Sequence, residues 1–266
     1  MAITSTTEEL LVEQDGHILT ITLNRPDRLN AISGPMLGNL SSVLQAANID
    51  RSVRVVILTG AGRGFCAGLD LKAQTSGEDT IGARGYNLFD LHNSPPIVIN
   101  RMDKPMICAL NGAAAGYGMD LALGCDIRIA SEHAKMGAVF AKRGVLPESG
   151  GCWYLPRLLG WAKAAEVAFL GDVLDANRSL ELGLVNRVVK HDDLMAETKK
   201  VATQIANNAP LSVQSTKRMM RLGMEESFEA AVDHIYLQLL PLFQSEDFKE
   251  GLSSFAERRE PNFKGR

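Results

Sequence analysis

Asn111-Gly-Ala-Ala-Ala-Gly-Tyr-Gly-Met-Asp120 follows the apolar run Met106 to Leu110 and precedes a helical pattern. Its small residues bring bare backbone N–H groups to a buried helix start, and such a start favours negative charge. The device occurs twice, because Gly60-Ala-Gly-Arg-Gly-Phe-Cys-Ala-Gly-Leu-Asp70 follows a second apolar run, Val53 to Leu58. Read singly, either set of glycines only shapes a tight turn. Read as a pair, the two turns hold one oxyanion between two amides.

Strand and helix alternate around these turns. His17 to Leu23 alternates as a strand, ended by Asn24-Arg25-Pro26, and Pro35 to Ala47 follows as a helix opened by Ser33 or Gly34. Arg54 to Thr59, Pro105 to Leu110 and Asp126 to Ala130 read as short buried strands, with helical patterns at Ile81 to Leu91 and Gly118 to Leu123 between them. A helical run from Cys152 to Leu170 comes next, then the turn-rich Gly171-Asp-Val-Leu-Asp175, then a strand near Val185 to Val189. From Asp193 the pattern is helical to Arg259, with breaks at Asn208 to Pro210, Gly223 and Pro241. The expected fold is therefore α/β, with a layered core over residues 1–192 followed by a helical region over residues 193–266.

At 266 residues the chain is long enough to bury a sizeable core. Its 28 Lys and Arg against 31 Asp and Glu give a net charge of −3. Neither sign forms a block, so there is no electrostatic footprint for nucleic acid or an anionic membrane, and a small ligand is expected. The segment from Met1 to Glu9 has neither the basic region nor the apolar core of a signal peptide, and no apolar run reaches membrane-spanning length. A cytoplasmic location is expected. Cys66, Cys108, Cys125 and Cys152 show no Cys-x-x-Cys spacing, and His17, His92, His133, His191 and His234 show no ligand pattern. Neither a disulfide nor a metal site is expected.

Taken in order, Asn24-Arg-Pro-x-x-x-Asn30-Ala31, Phe65-Cys-Ala-Gly-Leu-Asp70, the Asn111 turn and Cys125-Asp-Ile-Arg128 resemble the crotonase (enoyl-CoA hydratase/isomerase) superfamily. The likeness continues through Gly144-Val-Leu-Pro-Glu-Ser-Gly-Gly151, Leu155-Pro-Arg-Leu-Leu-Gly160, Leu182-Gly-Leu-Val185-Asn186 and the ending Glu250-Gly-Leu-Ser-Ser-Phe-Ala-Glu-Arg-Arg259. The resemblance implies a crotonase-like superhelix of strand–strand–helix turns and a helical C-terminal region that builds trimers or dimers of trimers. It also implies a coenzyme A thioester as ligand, with coenzyme A part of the substrate and no permanently bound cofactor.

By position in the family motifs, the oxyanion amides are those of Leu69 and Tyr117. Two aligned donors in a dry site stabilise an enolate oxygen by roughly 3–4 kcal/mol each. Tyr117 stands where the family commonly has glycine, so its ring either narrows the acyl pocket or leans away. The family's hydratases work with two glutamates. Asp120 stands at the first position, either as a catalytic carboxylate or as a first-turn acid that stabilises the helix dipole. The second position falls on Phe140, which transfers no proton. Glu148 stands where the family's isomerases carry a proton-shuttling Asp or Glu and its dehalogenase a nucleophilic Asp. Partly buried against Phe140 and Trp153, it is expected to have a raised pKa. Its rival role is an acid at the start of the following helix.

The same resemblance places His92 in the acyl pocket or leaves it a loop histidine. Tyr86 and Phe89, at helical spacing, form a pocket lid or a packed helix face. Together with Tyr117, Phe140 and Trp153 these suit an aromatic or cyclic acyl group, as they also suit plain core packing. For coenzyme A, Arg28 meets the nucleotide phosphates, while Ala67, Gly68, Asp70 and Leu71 lie where the adenine is held. Phe255 and Arg258 match a pair that approaches from a neighbouring subunit. The reaction expected is double-bond isomerisation, with Glu148 moving a proton between the α and γ carbons and Asp120 assisting or binding a water. The alternatives are hydration by Asp120 and Glu148 together, or dehalogenation or thioester hydrolysis with Glu148 as nucleophile. A non-catalytic member that binds acyl-CoA or RNA belongs to another class, and the lack of a basic stripe counts against RNA.

Overall fold

A computed structural model of the chain describes residues 3–70 and 93–266. β1 (Leu10–Asp15) and β2 (Ile18–Leu23) pair antiparallel, with Leu10 opposite Leu23. β2 then leads a parallel run through β3 (Val55–Gly60), β5 (Met106–Leu110), β7 (Ile127–Ser131) and β10 (Arg187–Val189). Both faces of this sheet are covered, which is why its strands are near-continuous apolar runs. Val56 and Leu58 of β3 join the main core with Leu40 and Leu44, whereas Val55 and Ile57 pack with Leu194, Val201 and Ala202. Leu40 and Leu44 belong to α1 (Gly34–Ile49), which opens where the Ser33 side chain accepts the Met36 N–H.

A second sheet, among the described residues, has the order β4 (Gly64–Cys66), β6 (Ala113–Ala115), β8 (Lys135–Gly137) and β9 (Val173–Asp175). The turn expected over residues 171–175 is thus corrected in part, since residues 173–175 pair antiparallel with β8. Along the chain between α1 and β10 the described helices are α2 (Pro95–Arg101), α3 (Tyr117–Gly124), α4 (Gly151–Leu159), α5 (Trp161–Leu170) and α6 (Ala176–Leu182). The single helical run expected over residues 152–170 is two helices, because Gly160 between them has φ +74°. The helical pattern of residues 81–91 lies outside the described residues.

After β10 the chain is helical. α7 (Leu194–Ala206) covers the far face of β3 and β5, and α8 (Pro210–Gly223), α9 (Phe228–Phe243) and α10 (Glu246–Glu257) follow. Pro241 does not break its helix, contrary to the sequence reading. It falls in the final turn of α9, so the backbone bond it forfeits is confined to the last turn and the helix ends two residues later. Ion pairs tie α8 to the core, from Lys217 to Asp126 at 2.7 Å and from Arg221 to Asp103 at 3.2 Å, with Arg218 also on Asp103. No helix among the described residues is long and apolar enough to cross a membrane.

Candidate active site

The two Gly-rich turns leave the carboxyl ends of β3 and β5 and meet. Gly68 has φ +99°, and a Cβ there would come within 2.9 Å of the Ala115 carbonyl and 3.6 Å of the Tyr117 nitrogen. A Cβ on Gly118 would overlap the Cys66 carbonyl. Only glycine permits this approach, and it sets Leu69, next to Gly68, across from Tyr117, the first residue of α3. The first turn is also stitched to residues 29–32. The Ala67 N–H donates to Leu29 O, the Ile32 N–H to Gly68 O and the Asp70 N–H to Ile32 O, at 2.8–3.1 Å. In the second turn Gly116, with φ +53°, donates its N–H to Gly137 O at 3.0 Å. The arrangement brings the backbone of residues 66–68 against that of residues 115–118, the latter at a helix start.

Asp120 lies in the first turn of α3 and is buried, at 2 % exposure. Its Oδ2 accepts the N–H of Gly151, at the start of α4, at 3.1 Å. Its Oδ1 is buried with no hydrogen-bond partner. Burial, above all, pushes the carboxyl pKa up to about 7; the Gly151 amide opposes this and the negative charge of Glu148 adds to it. Asp120 is therefore a carboxyl poised to hold or release a proton near neutrality. Gly151 leaves room for it, since a Cβ there would overlap Oδ1.

Glu148 is exposed, and its Oε1 accepts a hydrogen bond from the Ser149 hydroxyl at 3.3 Å. The partial burial expected for it against Phe140 and Trp153 is not found. The loop of residues 144–150 carries it to the surface, while Trp153 is taken up by the Arg157 guanidinium, 4.0 Å above its ring, and by the edge of Tyr154. The buried carboxyl is instead Asp120. Phe140 is buried beside the second turn, its ring edge 3.8 Å from where a Gly116 Cβ would be. The ring of Tyr117 packs into the main core. An apolar cavity of about 200 Å³, lined by Pro147, Cys152, Leu155, Trp161 and Phe169 among others, adjoins this corner of the site.

Of the residues expected to hold coenzyme A, Ala67 and Arg28 are exposed, Arg28 closing a 3-10 turn (Pro26–Arg28). The Asp70 carboxylate is buried and paired with Arg25 at 3.0 Å, and Arg25 also pairs with Glu9 at 3.0 Å. Its side chain is thus committed to the fold. Phe255 and Arg258 are exposed on and just after α10, Arg258 with φ +57°. Leu71, Tyr86, Phe89 and His92 lie outside the described residues. The sequence reading gave no role to the Gly151 amide or to Arg25; the charged Arg25 beside Pro26 was a visible signal, whereas the amide was not.

The Enoyl-CoA hydratase/isomerase family model matches residues 13–266. The chain is 35 % identical to 1,2-epoxyphenylacetyl-CoA isomerase of Escherichia coli K12, covering 97 % of this chain and 99 % of that protein. It is 36 % identical to (E)-benzylidenesuccinyl-CoA hydratase of Thauera aromatica, covering 96 % and 98 %. Among solved structures, enoyl-CoA hydratase of Mycobacterium tuberculosis H37Rv superposes with a TM-score of 0.89 at 36 % identity, covering 98 % of this chain and 100 % of that one.

Proposed function

The chain belongs to the enoyl-CoA hydratase/isomerase family, and from that premise we propose that it isomerises a double bond in an acyl-CoA thioester, with the Leu69 and Tyr117 amides holding the thioester oxygen. Drawing the electrons of the broken C–H bond onto that oxygen gives an enolate, which the two donors stabilise. The proton removed from one carbon is returned to another, a task for one carboxyl that both accepts and donates near neutral pH. Asp120 suits it, and the observation that carries the reading is its buried carboxyl with one oxygen fixed by Gly151 and the other without a partner. Glu148 is the second carboxylate, whose charge adds to the burial that keeps the proton on Asp120 and whose exposure opens the site to solvent. This reverses the emphasis of the sequence reading, which gave the shuttle to Glu148.

Hydration is the second reading, favoured by the exposure of Glu148, where water is at hand for a carboxylate to activate. Coenzyme A runs along the first turn, with Arg28 and a neighbouring subunit's Arg258 on its phosphates and the backbone of residues 67–70 near its adenine. Self-association into a trimer or a dimer of trimers is supported by the exposed apolar side chains of α8 and α9, among them Met220, Phe228, Tyr236 and Leu237. Mass spectrometry of 2-enoyl-, 3-enoyl- and aryl-CoA thioesters incubated in deuterated water tests the reaction. Isomerisation leaves the skeleton without added water and carrying deuterium. A product heavier by one water establishes hydration instead.

A further inference from the structure

Asn30 and Asn111 take no part in the proton chemistry, yet their carboxamides converge on one loop at the root of the first turn. Asn111 opens the second turn. Its Oδ1 accepts the Gly60 N–H at 3.1 Å, and its Nδ2 donates to Gly62 O at 2.9 Å and Gly64 O at 3.1 Å. Asn30 is fully buried with φ +56°. Its Nδ2 donates to Ala61 O at 2.9 Å and to the same Gly64 O at 2.8 Å, and its Oδ1 accepts the Arg25 N–H at 2.8 Å.

Within residues 60–64 the Gly60 N–H and the carbonyls of Ala61, Gly62 and Gly64 are thus met by two side chains, while the Ala61 N–H donates to Leu23 O of β2. The loop needs such clamping, since Gly60, Gly62 and Gly64 give it wide conformational freedom and Gly62 sits at φ +69°. The clamp cannot be loosened locally. A Cβ on Gly60 would press on Gly64 O and the Asn30 Nδ2, and one on Gly112 would overlap Arg63 O. The loop leads through β4 to Leu69, and Asn111 leads through β6 to Tyr117. One side chain therefore joins the root of each amide-bearing turn to the other, and Asn30 reinforces it from residues 25–30.

We infer that Asn30 and Asn111 are positioning residues, which set the separation and aim of the Leu69 and Tyr117 amides without touching substrate. The inference rests on the oxyanion role proposed for those amides. A displacement of about 1 Å at such donors lowers turnover about 100-fold, with little effect on thioester affinity, because the interaction lost is one made in the transition state.

The test compares Asn111→Ala, Asn111→Ser and Asn30→Gly with the wild type. Glycine adopts the φ of residue 30 without strain, so that variant removes the carboxamide alone. Serine at 111 keeps one hydroxyl donor and carries the test if the alanine variant does not fold. The readouts are kcat, KM and the infrared carbonyl band of a bound thioester carrying ¹³C at its carbonyl. In the wild type the band shifts to lower frequency on binding, as two donors polarise the bond. The expected result is loss of that shift and about a 100-fold fall in kcat at nearly unchanged KM in the alanine and glycine variants, with partial recovery in serine. Variants that keep the wild-type band and kcat, whatever their melting temperature, overturn the positioning role alone. A wild type with no band shift overturns the oxyanion reading, and the inference with it.

Discussion

Asp120→Asn removes an ionisable group from a buried site while keeping its shape. The Gly151 N–H still finds an acceptor, and the amide NH₂ occupies the place of the unpartnered Oδ1. The carboxyl pKa rises from 3.8 to about 7, and at about 1.4 kcal/mol per tenfold this converts to about 4 kcal/mol lost when the folded protein ionises it. The sign follows from proton counts. Between these two values the folded chain holds the proton and the unfolded chain does not, so wild-type stability falls as pH rises, down to a plateau above pH 7. The asparagine variant lacks this slope. Urea unfolding of both proteins at matched concentration and several pH values reads the difference. The variant's advantage is expected to widen by about 2–3 kcal/mol between about pH 5 and pH 7 and then level off, while its activity is lost. A stability difference that is independent of pH, or that narrows as pH rises, would refute the buried protonated carboxyl.

Three further outcomes follow from the same geometry. Glu148→Gln is expected to lower kcat about 100-fold or more with an unchanged melting temperature, because the side chain is exposed; wild-type turnover would remove Glu148 from the proton path. Gly118→Ala forces a Cβ into the Cys66 carbonyl, at a cost of about 1–3 kcal/mol in stability and with loss of activity as the turns separate. Wild-type activity and stability in this variant would mean that the turns do not meet so closely. With a 3-enoyl thioester, kcat/KM is expected to rise through about pH 7, since Asp120 accepts a proton only when ionised; a profile flat from pH 5 to pH 8 contradicts that role.

What was legible in the sequence was whatever repeats at short range. The apolar runs gave β3, β5 and β7, Ser33 before Gly34-Pro35 gave the start of α1, and the two Gly-rich stretches gave the site's backbone. The second sheet was not legible, because strands such as Ala113–Ala115 and Lys135–Gly137 have only three residues and no alternation to read. The hairpin partner β1 escaped for a related reason. It is an edge strand with polar Glu13 and Gln14, so its apolar face is short. Glu148 is exposed where partial burial was expected, and the depth of Asp120 was not foreseen, because burial depends on what packs over a residue. The start of α4 lies over Asp120, and no local pattern around Met119 or Leu121 announces it. Asn30 and Asn111 were visible as motif letters, but what they hold becomes evident only when residues distant in sequence share the Gly64 carbonyl.

The central claim is that two backbone donors and a nearby carboxylate generate an enolate from a coenzyme A thioester. A saturated acyl-CoA tests it most directly, because it can neither gain water nor shift a double bond, yet its α-hydrogen exchanges if an enolate forms. Incubated with the enzyme in deuterated water, it is expected to acquire one α-deuteron with the wild type and none with the Asp120→Asn, Glu148→Gln double variant. A wild type that binds the thioester but leaves its α-carbon unlabelled would contradict the account.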